Sequence, residues 1–110
     1  MNYGYIRVSS DKQTVENQRY EITNYCVSKG IVIDKWIEES VSGAKSPDVR
    51  KLGIILKQIA KGDTILVTEL SRLGRCAYMV IAIISHCLMT KANILEVRDD
   101  KYVKDDSASV

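Results

Sequence analysis

The chain has few cysteines, one proline, little net charge and no long apolar run, and each shortage closes off a class of protein. The three cysteines, Cys26, Cys76 and Cys87, make an odd, widely spaced set with no C-x-x-C pair, so no disulfide framework is expected. Each reads as a small apolar residue in a reducing compartment. The adjacent His86-Cys87 lacks further ligands at zinc spacing, so no metal is expected there. A formal net charge of +2 permits contact with nucleic acid without arguing for it, since dedicated DNA-binding domains are far more basic. The residues after Met1 include Asn2, Arg7 and Asp11 and no apolar h-region, so no secretory signal is expected. The longest apolar stretch, Ala77 to Met89, is too short to cross a bilayer and contains Ser85 and His86. There is no Gly-rich phosphate loop of the G-x-G-x-x-G or Walker type, no internal repeat and no low-complexity tract. A soluble, cytoplasmic protein with no membrane contact is expected.

What is present is one domain's worth of chain: 110 residues, 45% of them hydrophobic. Tyr3 to Val8 reads as a buried strand. Thr14 is positioned to cap a helix running to about Ser28, with Gly30 just past its end. Ile31 to Glu38 resumes a strand pattern. Ser46-Pro47-Asp48 is a helix start, and Leu52, Ile55, Leu56 and Ile59 follow as an apolar stripe. Thr64 to Thr68 reads as a third strand, Cys76 to Lys91 as an apolar helix buried on most sides, and Ala92 to Val97 as a fourth strand. From Asp99 the chain is polar and reads as a linker leading toward a helix. This order predicts an α/β fold: an open, mostly parallel sheet of four to five strands with helices on both faces. Such sheets bind ligands at the carboxyl ends of strands, near a switch in strand order.

Two arginine-bearing segments sit at such ends: Tyr5-Ile6-Arg7-Val8-Ser9-Ser10 after the first strand and Glu69-Leu70-Ser71-Arg72-Leu73-Gly74-Arg75 after the third. Guanidinium stays charged and matches phosphate oxygens in a bidentate fork, so Arg7, Arg72 and Arg75 together suit the charge that gathers on a phosphodiester transition state. Arg7 and Ser9, two apart on extended backbone, point the same way. Arg72 and Arg75, at i and i+3 near a helix start, are expected to share a helical face. The weaker alternatives are solvated helix-start arginines, surface amides at Gln13 and Gln18, and ordinary solvated charges at Lys45 and Arg50. Arg-x-Ser alone is common.

Tyr5-Ile6-Arg7-Val8-Ser9, Gln13 and Gln18, Ser42-Gly43, Lys61-Gly62-Asp63 and Leu70-Ser71-Arg72-Leu73-Gly74-Arg75, in that order, resemble the serine recombinase family of DNA resolvases and invertases, over the whole chain. The subgroup most resembled is the bacterial DNA invertases. The resemblance implies that Ser9 attacks a DNA phosphodiester, joins the 5′-phosphate and releases a 3′-hydroxyl. Arg7, Arg72 and Arg75 would surround the scissile phosphate. Gln18 would order the loop carrying Ser9, Gln13 would touch the phosphate region and Tyr5 would support the site. It implies no metal and no nucleotide cofactor, DNA as partner, and self-association into dimers and tetramers in a longer protein. Residues 1–98 are expected as the catalytic domain. Residues 99–110 are expected as the start of a linker to a dimerisation helix and a DNA-binding domain not contained here, so that this piece alone would be inactive.

The chain departs from the family pattern in two further ways. Ser71 stands where the family usually has an aspartate, removing a carboxylate that would orient a guanidinium. The segment between Gly43 and Lys61 is longer by one residue than in many relatives, so either Lys45 or Arg50 matches the family's loop arginine. Asp99, Asp100, Asp105 and Asp106 read as solvated linker rather than as metal ligands. Two other readings stay open: a remnant without activity, and an α/β module holding a phosphorylated small molecule.

Overall fold

A computed structural model describes residues 1–8, 12–40 and 51–103, with the side chains of Lys12 and Gln13 left out of the description. Ser9, Ser10, the Gln13 side chain, Ser42-Gly43, Lys45, the Ser46-Pro47-Asp48 helix start, Arg50, Asp105 and Asp106 therefore lie outside the described residues. The elements run β1 (Asn2–Val8), α1 (Lys12–Lys29), β2 (Lys35–Ser40), α2 (Lys51–Gln58), β3 (Thr64–Val67), a 3₁₀ turn (Leu70–Leu73), α3 (Ala77–Met89), β4 (Asn93–Glu96) and β5 (Lys101–Val103).

The sheet order is β2-β1-β3-β4-β5. β1 lies parallel to both β2 and β3, β3 is parallel to β4, and β5 returns antiparallel along β4. The expected α/β class and mostly parallel sheet are therefore what is observed. From β1 the chain steps outward to β2, then crosses back over β1 to reach β3. Crossovers of constant hand then place the helices on opposite faces, and the packing agrees. On one face, Ile22 and Cys26 of α1 cluster with Ile6, Val8, Leu66 and Leu95. On the other, Leu52 and Ile55 of α2 and Ile83 and Cys87 of α3 cluster with Tyr3, Tyr5, Ile65, Val67 and Ile94. Period-two alternation along β1 thus sends Tyr3 and Tyr5 to one core and Ile6 and Val8 to the other. Each fully buried aliphatic side chain contributes about 1.5–3 kcal/mol.

Three expectations need correction. The second strand begins at Lys35, not Ile31, because Asp34 accepts the Asn2 N–H at 2.6 Å and the Val32 carbonyl accepts from Asn2 Nδ2 at 3.0 Å. Those bonds hold residues 31–34 as a loop around the start of β1. The helix α3 is not buried on most sides: Tyr78 is 80% exposed, Ile81 61% and Met89 83%. It packs on the sheet through one face, and among the described residues no element covers the other. Finally, residues 101–103, expected in a linker, form β5, pairing Leu95 with Tyr102. Asp100, at φ 50°, makes the tight reversal that the absence of glycine and proline had hidden. Gly30 does lie past the end of α1, at φ 71°, as expected.

Candidate active site

The strand order reverses at β1, whose neighbours β2 and β3 are reached by crossovers on opposite faces. The crevice beyond the carboxyl ends of β1 and β3 is the position where such sheets hold ligands. Arg7 is the next-to-last residue of β1, and the segment Thr68 to Cys76 leaves β3 into the same crevice. An open pocket of about 650 Å³ lies there, lined by Arg7, Ser71, Gly74, Arg75, Cys76, Ala77, Val80 and Ile81. One wall is cationic and polar; the other is the first turns of α3 and is apolar.

Several bonds fix Arg7. Its guanidinium Nη1 donates to the Gly74 carbonyl at 3.2 Å, tying the end of β1 to the second arginine segment. Its backbone is clasped by the buried Gln18 of α1. Gln18 Nε2 donates to the Arg7 carbonyl at 3.2 Å, and the Arg7 N–H reaches Gln18 Oε1 at 3.4 Å. The side-chain amide acts here as a strand neighbour would, because the β1–β3 ladder has already ended at Gly4 and Leu66.

The second segment is equally constrained. Glu96, at the end of β4, accepts the Leu70 N–H at 2.8 Å, and the Arg72 N–H donates to the Glu69 carbonyl at 3.0 Å. Leu73, fully buried, anchors the turn in the core. Gly74 follows with no room for a side chain: a Cβ there would lie 2.7 Å from Met79 Cβ and 3.0 Å from the Val80 nitrogen. The close approach presses the segment against α3.

Arg72 and Arg75 do not share a helical face, contrary to expectation. Arg72 lies in a 3₁₀ turn, Gly74 is extended, and Arg75 precedes α3. Arg75 is exposed and lines the pocket with Arg7 and Ser71. Arg72 lies behind them. Its Nη1 faces the Arg7 carbonyl at 3.5 Å, and its Nε lies 3.4 Å from Glu69 Oε1, an ion pair not aligned as a hydrogen bond. The arginines thus gather at one crevice, with Arg7 and Arg75 on the pocket wall and Arg72 in the layer beneath.

Tyr5 is in the core, not in the pocket. Its hydroxyl donates to Glu39 Oε1 at 2.7 Å, and Glu39 Oε2 accepts the Lys51 N–H of α2, also at 2.7 Å. Sequence reasoning missed Glu39, although the inward alternation of Ile37 and Glu39 along β2 signals a carboxylate on the buried face. It also missed Glu69, Glu96, Glu21 and Arg98. Arg98 forks onto Glu21 of α1 at 3.1 and 3.2 Å and reaches Glu69 Oε2 at 3.1 Å. The hydrogen bond from Arg98 to Glu21, with the charges of Glu21 and Glu69, raises the arginine further above its usual range. Burial pushes the Cys87 thiol up to about 11 and raises Cys26, which suits packing rather than chemistry. Among the described residues no group of three or more His, Cys, Asp or Glu side chains is arranged to hold a metal ion. No helix among them is long and apolar enough to cross a membrane.

Comparison with known proteins gives this geometry a family. A family model described as resolvase, N-terminal domain, matches residues 2–109. DNA-invertase hin of Salmonella typhimurium strain LT2 is 37% identical over 84 residues, covering 74% of this chain and 40% of that protein. Transposon Tn2501 resolvase of Escherichia coli is 38% identical over 77 residues, covering 68% of this chain and 38% of that protein. The catalytic domain of ISC1926 TnpA, an IS607-like serine recombinase, superposes with a TM-score of 0.69 at 25% identity, covering 87% of this chain and 66% of that one. The chain spans half or less of the length of the curated relatives it matches. With the sheet order, the crevice and a match over nearly its whole length, the chain belongs to the serine recombinase family, as a resolvase-type N-terminal catalytic domain.

Proposed function

We propose that this domain cuts and rejoins DNA by direct transesterification, with Ser9 as the nucleophile. The observation that carries the reading is the convergence of Arg7, Ser71 and Arg75 on one pocket at the carboxyl ends of β1 and β3, with Arg72 directly behind. The Ser9 oxygen attacks phosphorus and forms a bond to the 5′-phosphate. The bond to the 3′ oxygen breaks, and a 3′-hydroxyl leaves. The phosphoserine ester keeps the bond energy, so attack by a 3′-hydroxyl reverses the step without a nucleotide. Arg7 and Arg75 meet the non-bridging oxygens from the pocket wall and Arg72 reaches them from the layer beneath, each such donor contributing roughly 3 kcal/mol at the transition state by analogy with oxyanion donors. Gln18 fixes the strand end from which the Ser9 loop departs, Gln13 and either Lys45 or Arg50 add phosphate contacts, and Tyr5 supports the site through Glu39.

The partners in this reading are DNA and further copies of the same protein, acting in the bacterial cytoplasm. Residues 1–98, extended by β5 to 103, form the catalytic domain. Site choice and stable self-association belong to segments beyond it, and the domain alone is inactive. The outcome we assign is inversion, on the 37% identity to DNA-invertase hin. The 38% identity to Tn2501 resolvase makes excision the competing outcome. Paired sites in inverted and in direct orientation on one plasmid separate the two. In a protein carrying this domain, Ser9→Ala abolishes covalent protein–DNA adducts and Ser10→Ala does not. Undiminished adducts in Ser9→Ala would refute the reading.

A further inference from the structure

Arg72 belongs to a row of alternating charges that runs away from the pocket. Glu69 Oε1 lies 3.4 Å from Arg72 Nε. The other oxygen of Glu69 accepts from Arg98 Nη1 at 3.1 Å. Arg98 in turn forks onto Glu21 of α1 through Nε and Nη2 at 3.2 and 3.1 Å. The row joins four separate pieces of the fold: the 3₁₀ turn, the end of β3, the end of β4 and α1. The sheet fixes the backbone on which its central members stand. The Arg98 N–H donates to the Thr68 carbonyl at 3.0 Å, which holds β4's exit beside β3's.

Exposure decides what the row is for. From the α1 end of the row, the side chains of Glu21, Arg98, Glu69 and Arg72 are 35%, 52%, 33% and 29% exposed, so the pair nearest the pocket is the least exposed and Arg98 the most. Pairs this wet add little stability. They do restrict geometry, because a forked guanidinium fixes its carboxylate in a plane. Arg72 has its Nε side toward Glu69 and its Nη1 toward the Arg7 carbonyl, while among the described residues Nη2 meets no acceptor. One edge of the guanidinium is thus held inward and another is left for a substrate oxygen. Arg98 has a second effect. It shares the charge of Glu69, which would otherwise fall wholly on Arg72 and compete with a phosphate for it.

We infer that Glu69 is the positioning residue of Arg72, and that Arg98, braced by Glu21, sets how strongly Glu69 holds it. The phosphate-handling role of Arg72 rests on the function proposed above; the control of its orientation does not.

The test uses this chain with labelled arginine and follows the side-chain Nε–Hε resonance of Arg72 while inorganic phosphate is added. Glu69→Gln and Arg98→Ala are expected to shift that resonance, and Arg98→Ala, which leaves the whole charge of Glu69 on Arg72, to weaken phosphate at Arg72 about threefold, within the range of a part-exposed ion pair. The control is Arg19→Ala, which removes a comparably exposed ion pair to Glu38 and a contact with the Trp36 ring on the far edge of the sheet. It is expected to lower the melting temperature as much as Arg98→Ala does while leaving the Arg72 resonance in place. An Arg72 resonance and phosphate affinity unchanged in Arg98→Ala would overturn the inference, whatever the melting temperature. A resonance that moves in both variants, in a chain whose Arg72 shows no response to phosphate, would support the positioning and sink the proposed function.

Discussion

Replacing Gln18 by methionine tests whether the end of β1 is held by a side-chain amide. The two side chains are close in length and volume, so little cavity opens. What changes is the loss of the donor to the Arg7 carbonyl at 3.2 Å and of the acceptor for the Arg7 N–H at 3.4 Å. Both distances sit at the long end of the hydrogen-bond range, so neither bond is strong. Desolvation weighs more: Gln18 is 3% exposed, and water does not easily replace the lost partner. A buried backbone group that loses its partner costs about 1–3 kcal/mol. Arg72 Nη1, 3.5 Å from the same carbonyl, offsets part of the cost on the oxygen side. The methionine's own burial returns a fraction more. The net expectation is a loss of about 2 kcal/mol.

Urea unfolding followed by circular dichroism reads this directly. With a slope near 1–3 kcal/mol per molar for a chain of this size, the midpoint falls by about 1 M. Asn17→Met, on the exposed neighbour, is the control and stays within about 0.5 kcal/mol of the unaltered chain. Exchange of the Arg7 amide hydrogen should also quicken in Gln18→Met relative to amides in the middle of β3. Equal midpoints for the two variants, with Arg7 exchange unchanged, would refute the clasp and with it the hold that lets β1 present Arg7.

Gly74→Ala should cost about 1–3 kcal/mol, since its Cβ would meet Met79 Cβ at 2.7 Å and backbone at 3.0 Å; an unchanged urea midpoint would count against the close approach. Burial, then the hydrogen bond to Asp100, pushes Tyr25 up to about 12 from 10.0, so folding favours the neutral phenol. That contribution is complete below pH 10 and is lost as pH rises through 12, and Tyr25→Phe should flatten this alkaline limb. Asp100 is held below the usual carboxylate range first by the Tyr25 hydroxyl and then by Lys29. Its contribution is present above the unfolded carboxylate pKa and fades as pH falls through the folded one, so Asp100→Asn should flatten the acid limb. Cys76 is exposed whereas Cys26 and Cys87 are buried. A thiol reagent should modify Cys76 at once and the other two slower by about 10³ or more, at the rate set by opening; three equally fast thiols would contradict the packing.

The sheet was legible because its strands are short apolar runs whose parity assigns them to one face or the other. Ile6 and Val8 against Tyr3 and Tyr5 is such a case. The switch point was legible because the arginine segments follow the first and third strands, and a β-α-β order leaves few sheets to choose from. Boundaries were less legible where a polar side chain replaces a ladder bond: Asp34 on Asn2 delays β2, and Gln18 on Arg7 extends the hold on β1. The fifth strand was hidden because its reversal uses Asp100 at positive φ instead of glycine. The exposed face of α3 was misread because hydropathy measures what a side chain would bury, not what is there to cover it.

The site divides along the same line. Arg7, Ser71 and Arg75 sit in local motifs, so spacing finds them. Arg72's surroundings do not work that way. Glu69 is three residues away, but Arg98 lies 29 positions from Glu69 and 77 from Glu21. No periodicity predicts that an arginine leaving β4 will meet a glutamate on α1. Only the sheet order does, by laying the ends of β3 and β4 side by side under α1. A substitution at Arg98 that loosened Arg72 without unfolding the chain would mean that fold topology, and not only the motif, sets the electrostatics of the crevice.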